Sequence, residues 1–395
     1  MKTIETTNQF ILNTYKRYPV VFEKGTGCYL FDENGKKYLD MSSGIAVSLL
    51  GHSHPEVVKA IKKQSNKLLH TSNLYYSTPA PKLAKKLVEK SVFSKAFFCN
   101  SGAEANEAAL KIAKKYGKIH GGEKKFKILS FKNSFHGRTI ATITATGQTK
   151  YQESFTPLLP GVEYAEYNNI ESVKKLISDD VCAVIIEPLQ GEGGVHPAQG
   201  DFIKQLRELC DKHNALLIFD EIQTGVGRTG TLFAYEQFLP TKPDIVTLAK
   251  GIAAGLPMGV TLVNEKLSEV LQPGDHASTF GGNLLTSSVA LAVLNCIDND
   301  KILENVQKSG SYLIKKLNEL KLKYSSIKDI RGQGLLIGIE IDFPAPELVN
   351  ALIDKKIITV PAGTSVVRFL PPLIIKKKEI DILIDALDEI FKKRI

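Results

Sequence analysis

The chain has 395 residues, 43% of them apolar and 24% charged, which is the ordinary balance of a globular protein with room for two or three domains and a sizeable core. Disordered, collagen-like and low-complexity classes are excluded, and apolar stretches such as 252–263 carry Gly and Pro and fall short of the ~20 residues of a membrane span. The net charge of +9 is spread thinly over runs at 111–127, 376–378 and 392–394 without interleaved aromatics, so solvated helix faces are expected rather than a nucleic-acid surface.

The opening MKTIETTNQF is polar where a secretory signal places its apolar core, so a cytoplasmic protein is expected. Five cysteines (Cys28, Cys99, Cys182, Cys210 and Cys296) are odd in number and dispersed, as befits reduced, buried thiols. Residues 28–31 and 37–41 read as a hairpin about Glu33-Asn34-Gly35. His52-Ser53-His54-Pro55 has no acid or thiol clustered with it in the sequence; a proline-directed turn is expected and no metal site.

Five short strands follow, each ending in residues that carry chemistry. The strand 96–99 leads through Asn100-Ser101-Gly102-Ala103 into a helix over 104–116, a start that suits either an anion cradle or an ordinary serine cap. The strand 127–131 leads to Phe135-His136-Gly137-Arg138, an aromatic and an arginine suited to a planar ring and a carboxylate, or else a surface arginine. The strand 181–186 leads to the turn-rich Glu187 to Gly194 segment, and a helix over 202–213 comes next. The strand 215–219 ends on Asp220, costly to bury without a partner. The strand 245–248 ends on Ala249-Lys250-Gly251; a lysine in a dry site loses its proton readily and becomes a nucleophile toward carbonyls, though alone it is more often a snorkelling surface residue.

Strands alternating with helices predict an α/β fold with a mostly parallel sheet flanked by helices, its ligand beyond the strands' carboxyl ends. Residues 56–285 form the expected large domain; 1–55 and 286–395 form a smaller α+β domain from both termini, with a strand over 334–341. Gly225-Val226-Gly227-Arg228-Thr229-Gly230 spells a dinucleotide fingerprint, but Pro240 and Pro243 break the helix it must open, so no dinucleotide site is expected. An anion cradle, a ring-facing Phe, a buried Asp and a nucleophilic Lys at one sheet edge together match what pyridoxal phosphate requires.

Through GIAVSLLGHSHP (44–55), FFCNSGAEANEAALKIAKKYG (97–117), SFHGRTIATITATGQ (134–148), IIEPLQGEGG (185–194), FDEIQTGVGRTG (219–230), TLAKGIAAGLPMG (247–259), STFGGN (278–283) and VVRFLPPL (366–373), the chain resembles the class III (ω-) aminotransferases of the fold-type-I pyridoxal-phosphate enzymes. The resemblance covers nearly the whole chain. It implies that Lys250 carries the cofactor and shuttles the proton, Asp220 pairs with the ring nitrogen, and Gln223 approaches the ring hydroxyl. It further implies that Phe135 stacks on the ring, Gly102 and Ala103 offer N–H groups to the phosphate, and Thr279 reaches the phosphate of a neighbouring subunit, making a homodimer with shared sites. Arg138 and Ser278 match positions for the substrate's distal end; Arg368 would bind the α-carboxylate of glutamate or 2-oxoglutarate, with Glu192 masking it when a terminal amine is bound.

Within the family, 44–47 and 145–148 are most similar to the branch that moves the terminal amine of N-acetylornithine to 2-oxoglutarate, in arginine biosynthesis. Donors weighed against it are N-succinyldiaminopimelate, ornithine, succinylornithine and 4-aminobutyrate. A non-catalytic binding protein on the same fold is the reading from another class; intact Lys250, Asp220, Arg138 and Arg368 speak against it.

Overall fold

A computed structural model describes residues 2–394. Its centre is a seven-stranded sheet in the order Lys95–Cys99, Gly259–Val263, Ile245–Leu248, Leu216–Asp220, Val181–Ile186, Lys127–Phe131 and Val162–Ala165. The strands from Ile245–Leu248 to Val162–Ala165 pair in parallel. Gly259–Val263 runs antiparallel to both its neighbours. Every residue of Val181–Ile186, Leu216–Asp220 and Ile245–Leu248 is buried, as expected of parallel strands covered on both faces.

The five predicted strands are present, with ends moved by a residue at Lys95–Cys99 and Leu216–Asp220. Two more complete the sheet. Gly259–Val263 lies close behind Pro257 in a long apolar stretch, and Val162–Ala165 is a four-residue edge strand holding Glu163, so neither has the signature of the central strands. The predicted helices run over Gly102–Gly121 and Gly200–Lys212; the second turns Phe202, Ile203, Leu206 and Cys210 inward at helical spacing.

The chain's two ends meet in a second sheet. Phe22–Thr26, Tyr29–Asp32 and Lys37–Asp40 form an antiparallel meander, to whose free edge Ile357–Ile358 adds in parallel. A third sheet, Ile327–Gln333, Leu336–Ile341, Val366–Phe369 and Val360–Ala362, carries Arg368. The helix Leu284–Asn299 packs against Pro55–Ser65 and Pro79–Glu89. Among the described residues no helix is long and apolar enough to cross a membrane.

Candidate active site

Beyond the carboxyl ends of the large sheet lies a cavity of about 410 Å³, lined by Ser101, Gly102, Ala103, Phe135, Arg138, Glu187, Glu192, Asp220, Gln223 and Lys250 among others. One rim is the start of the 20-residue helix Gly102–Gly121, capped by Ser101, whose side chain accepts from Glu104 N. Its first N–H groups and positive dipole end suit an anion. A side chain at Gly102 would press on Ile222 at 2.8 Å, so the glycine keeps the backbone close to the cavity.

Asp220 closes the buried strand Leu216–Asp220 and is itself only 3% exposed. Its Oδ2 accepts from Asn106 Nδ2 at 2.8 Å and lies 2.7 Å from His136 Nδ1, while Oδ1 accepts from Ile222 N at 3.0 Å. Asn106 is oriented in turn by the Thr247 hydroxyl, which donates to its carbonyl at 2.8 Å. A carboxylate held by fixed donors, with no lysine or arginine in hydrogen-bond contact among the described residues, is poised for a cationic ligand atom.

Lys250 begins a short 3-10 turn after Ile245–Leu248, in the left-handed region at φ 48°. That conformation costs a non-glycine residue about 1–2 kcal/mol and is kept where the surroundings over-determine it. Burial, and then Arg368, hold its ammonium below the ordinary lysine value, against the opposing pull of Glu192, Asp220 and Glu187. An amine so placed deprotonates more readily and attacks carbonyl carbon.

Arg368 is 1% exposed and divides its guanidinium between two partners: Nη1 donates to Gln223 Oε1 at 2.7 Å and Nη2 to Glu192 Oε1 at 2.8 Å. Burial raises the Glu192 carboxyl, but Arg368 and Lys250 outweigh it and hold the group below the usual range. Glu192 is therefore ionised at neutral pH and neutralises the buried arginine.

The structure thus brings Lys250, Asp220, Gly102, Ala103, Phe135, Gln223, Arg138 and Glu192 to one cavity, with Arg368 behind Gln223 and Glu192. Ser278 and Thr279 line an adjacent cavity, joined to the first at Asn100, whose Nδ2 donates to Ser278 Oγ at 3.1 Å. Sequence reasoning missed the Asn106, His136 and Thr247 support of Asp220, although all three lie within the quoted runs. It also missed Tyr151, whose ring lies 4.0 Å beneath the Arg138 guanidinium carbon and edge-on to Phe135 at 5.8 Å.

Two sequence motifs resolve differently. No α-helix follows 225–230; Arg228 is buried there and donates to the carbonyls of Leu335 and Pro371, binding the loop to the arginine-bearing sheet. The isolation expected of 52–55 is corrected. His52 pairs with Asp40 at 2.8 Å, and ligand atoms of His54, Cys296 and Asp300 lie within 4.8 Å of one another, because the helix Leu284–Asn299 packs against the helix that Pro55 begins. Asp300 is exposed, and burial first, then Asp300, push the Cys296 thiol up to about 11, so it is protonated at neutral pH.

The family description "Aminotransferase class-III" matches residues 11–391. The chain belongs to the class III aminotransferases. It is 48% identical over 392 residues to the acetylornithine aminotransferase of Methanocaldococcus jannaschii, covering 98% of this chain and 97% of that one. It is 47% identical to that of Clostridium acetobutylicum, covering 98% and 100%. An ornithine aminotransferase of Toxoplasma gondii, with partial occupancy of PLP at its active site, superposes with a TM-score of 0.94 at 33% identity over 98% of this chain and 93% of its own. Class III aminotransferases use pyridoxal phosphate, and the residues of this one fit it: an anion cradle at Gly102 and Ala103, an aromatic face, a shielded carboxylate and a lysine of lowered basicity in one cavity.

Proposed function

We propose that this class III aminotransferase is an acetylornithine aminotransferase of arginine biosynthesis, working in the cytoplasm. It moves the terminal amine of N-acetylornithine to 2-oxoglutarate, giving N-acetylglutamate semialdehyde and glutamate. The observation that carries the reading is the buried Arg368 paired with Glu192 beside Lys250. A site that takes first a terminal amine with no adjacent carboxylate, and then an oxo acid that has one, needs an arginine that can be covered and uncovered. Glu192 does the covering, and a substrate carboxylate replaces it with a bidentate contact. The shared name of the two curated relatives supports the donor.

Pyridoxal phosphate, when bound, supplies the electron sink for the carbon that loses its proton. Lys250 would hold the cofactor, and its amine would take and return the proton at the amino-bearing carbon. Asp220 would keep the ring nitrogen protonated, Phe135 would cover one ring face, and Gln223, whose carbonyl holds Arg368, would approach the ring hydroxyl. Gly102 and Ala103 would offer N–H groups to the phosphate. Arg138 and Ser278 receive the donor's distal carboxylate.

The active unit is a homodimer in which Thr279 of one copy completes the phosphate site of the other. Leu74, Tyr75, Tyr76 and Phe280 are exposed, and Asn73 donates to the Ser278 and Gly281 carbonyls on either side of Phe280, which supports an apolar surface of the kind that associating chains cover.

The test is the visible absorbance of the yellow holoenzyme, followed as N-acetylornithine is added without any oxo acid. Bleaching with N-acetylornithine, but not with ornithine or 4-aminobutyrate at the same concentration, is the expected result. Bleaching with another of these amines alone overturns the donor and leaves the chemistry.

A further inference from the structure

Glu187 follows directly on the buried strand Val181–Ile186, lines the cofactor cavity and is 6% exposed, yet no step above uses it. Its Oε2 accepts from Phe135 N at 3.0 Å and its Oε1 from Gly191 N at 3.4 Å. Its own carbonyl takes the Tyr167 hydroxyl at 2.8 Å, which fixes the backbone from which the carboxyl reaches. Phe135 and Gly191 belong to different loops, one bearing the aromatic face of the cavity and the other the turn on which Glu192 sits.

Gly191 is also wedged. A Cβ there would fall 2.2 Å from Gln223 Oε1 and 3.1 Å from Arg368 Nη1. Its backbone therefore rests on the two groups that complete the Arg368 environment, and any displacement of Gly191 carries Glu192 along the chain with it. A buried carboxyl without an ion-pair partner is expensive to keep. Burial, and then the charge of Asp220, push it well above the usual carboxylate range, opposed by the two N–H groups. An apolar side chain of equal size would avoid that cost but would leave both backbone donors unsatisfied.

We infer that Glu187 is a positioning residue that holds the Phe135 loop and the Gly191–Glu192 turn on one carboxyl, so that grip on the cofactor ring and closure of Glu192 over Arg368 are set together. The inference rests on the gate proposed above. One group serving two loops means that a change in it moves both properties, whereas a change in Phe135 or Glu192 alone moves one.

Glu187→Gln keeps the size but offers one good acceptor to two donors. In the purified holoenzyme we expect the dissociation constant of pyridoxal phosphate, measured by equilibrium dialysis, to rise about tenfold, the scale of a buried backbone donor left without its acceptor. In the same protein the ratio of single-turnover rates with glutamate and with N-acetylornithine shifts about fivefold or more, while circular dichroism and Tm stay near wild type. A folded variant in which either quantity stays within about twofold of wild type overturns the shared hold. Glu187→Asp, too short to reach both loops, is read the same way if the glutamine variant does not fold; failure of both to fold assigns Glu187 to stability alone and overturns the positioning role. Should wild-type enzyme itself bleach with neither donor, the proposed function fails, while the dialysis measurement still reads the Phe135 arm.

Discussion

His136 and Asp220 face each other at 2.7 Å with neither side chain open to solvent, and because a carboxylate only accepts, His136 Nδ1 carries the proton between them. The imidazole thus orients the carboxylate proposed to meet a cationic ring nitrogen. Asp220→Asn replaces an acceptor with an amide that faces two existing donors, His136 and Asn106. Its single-turnover rate with N-acetylornithine should fall about 10²-fold or more, the scale of a lost preorganised electrostatic contact. A rate within tenfold of wild type at saturating cofactor would remove Asp220 from the reacting centre.

Removing the cover from Arg368 should act on one substrate more than the other. Glu192→Ala leaves the guanidinium with Gln223 as its remaining side-chain partner, which suits glutamate and disfavours a terminal amine. Stopped-flow half-reactions should show the N-acetylornithine step slowed more than the glutamate step. Equal slowing sinks the gate.

Arg138 is exposed and stands over Tyr151, so the recognition of a distal carboxylate proposed for it is partly solvent-screened. Arg138→Ala should weaken N-acetylornithine by about 1.5 kcal/mol, roughly tenfold in KM. Tyr151→Leu removes only the ring beneath the cation, with a loss of about 0.5–1 kcal/mol. Steady-state kinetics with an unchanged donor KM for Arg138→Ala would take that arginine out of the substrate site.

Glu221, next to Asp220, is fully buried and accepts from Ala234 N and Tyr235 N; burial lifts its carboxyl from 4.5 to about 8. Between those values the folded state holds a proton that the unfolded chain has released, so stability falls as pH rises through the window. Apoenzyme Tm should therefore drop from pH 5 to pH 8, and Glu221→Gln should flatten that drop despite a lower Tm at pH 5. Parallel Tm profiles for the two proteins would show that Glu221 does not titrate there.

Light scattering should return twice the chain mass, and charging the apolar surface with Tyr76→Glu and Phe280→Glu should lower the mass and the activity together. A fully active monomer would refute the contribution of Thr279 across an interface.

The sheet and its chemistry were legible because the buried parallel strands Val181–Ile186, Leu216–Asp220 and Ile245–Leu248 are near-continuous apolar runs, each ending at the cavity. Lys250, Asp220 and Phe135 could be placed from that rule alone. Gly259–Val263 could not, since it is buried on both faces, runs on from a long apolar stretch and has no alternation to announce it. Nor could the second partners: Gln223 on Arg368, Asn106 on Asp220 and Glu187 between two loops join groups 145, 114 and 52 residues apart, distances at which side-chain geometry leaves no trace in local pattern. Cys296 and Asp300 escaped for the same reason, being brought to His54 by helix packing.

The parallel pairing of Leu39 and Asp40 with Ile357 and Ile358 has a consequence for synthesis. The edge of Lys37–Asp40 emerges from the ribosome long before its partner strand exists, and at ~5–20 residues per second the gap of about 300 residues lasts some 15–60 s. Throughout that interval the Leu39 and Met41 amides, which end up on the Lys356 and Ile358 carbonyls, have no partner from their own chain. The nascent meander is an open template for a foreign strand, so chaperone occupancy of the first fifty residues should decide how much of this enzyme reaches its native state.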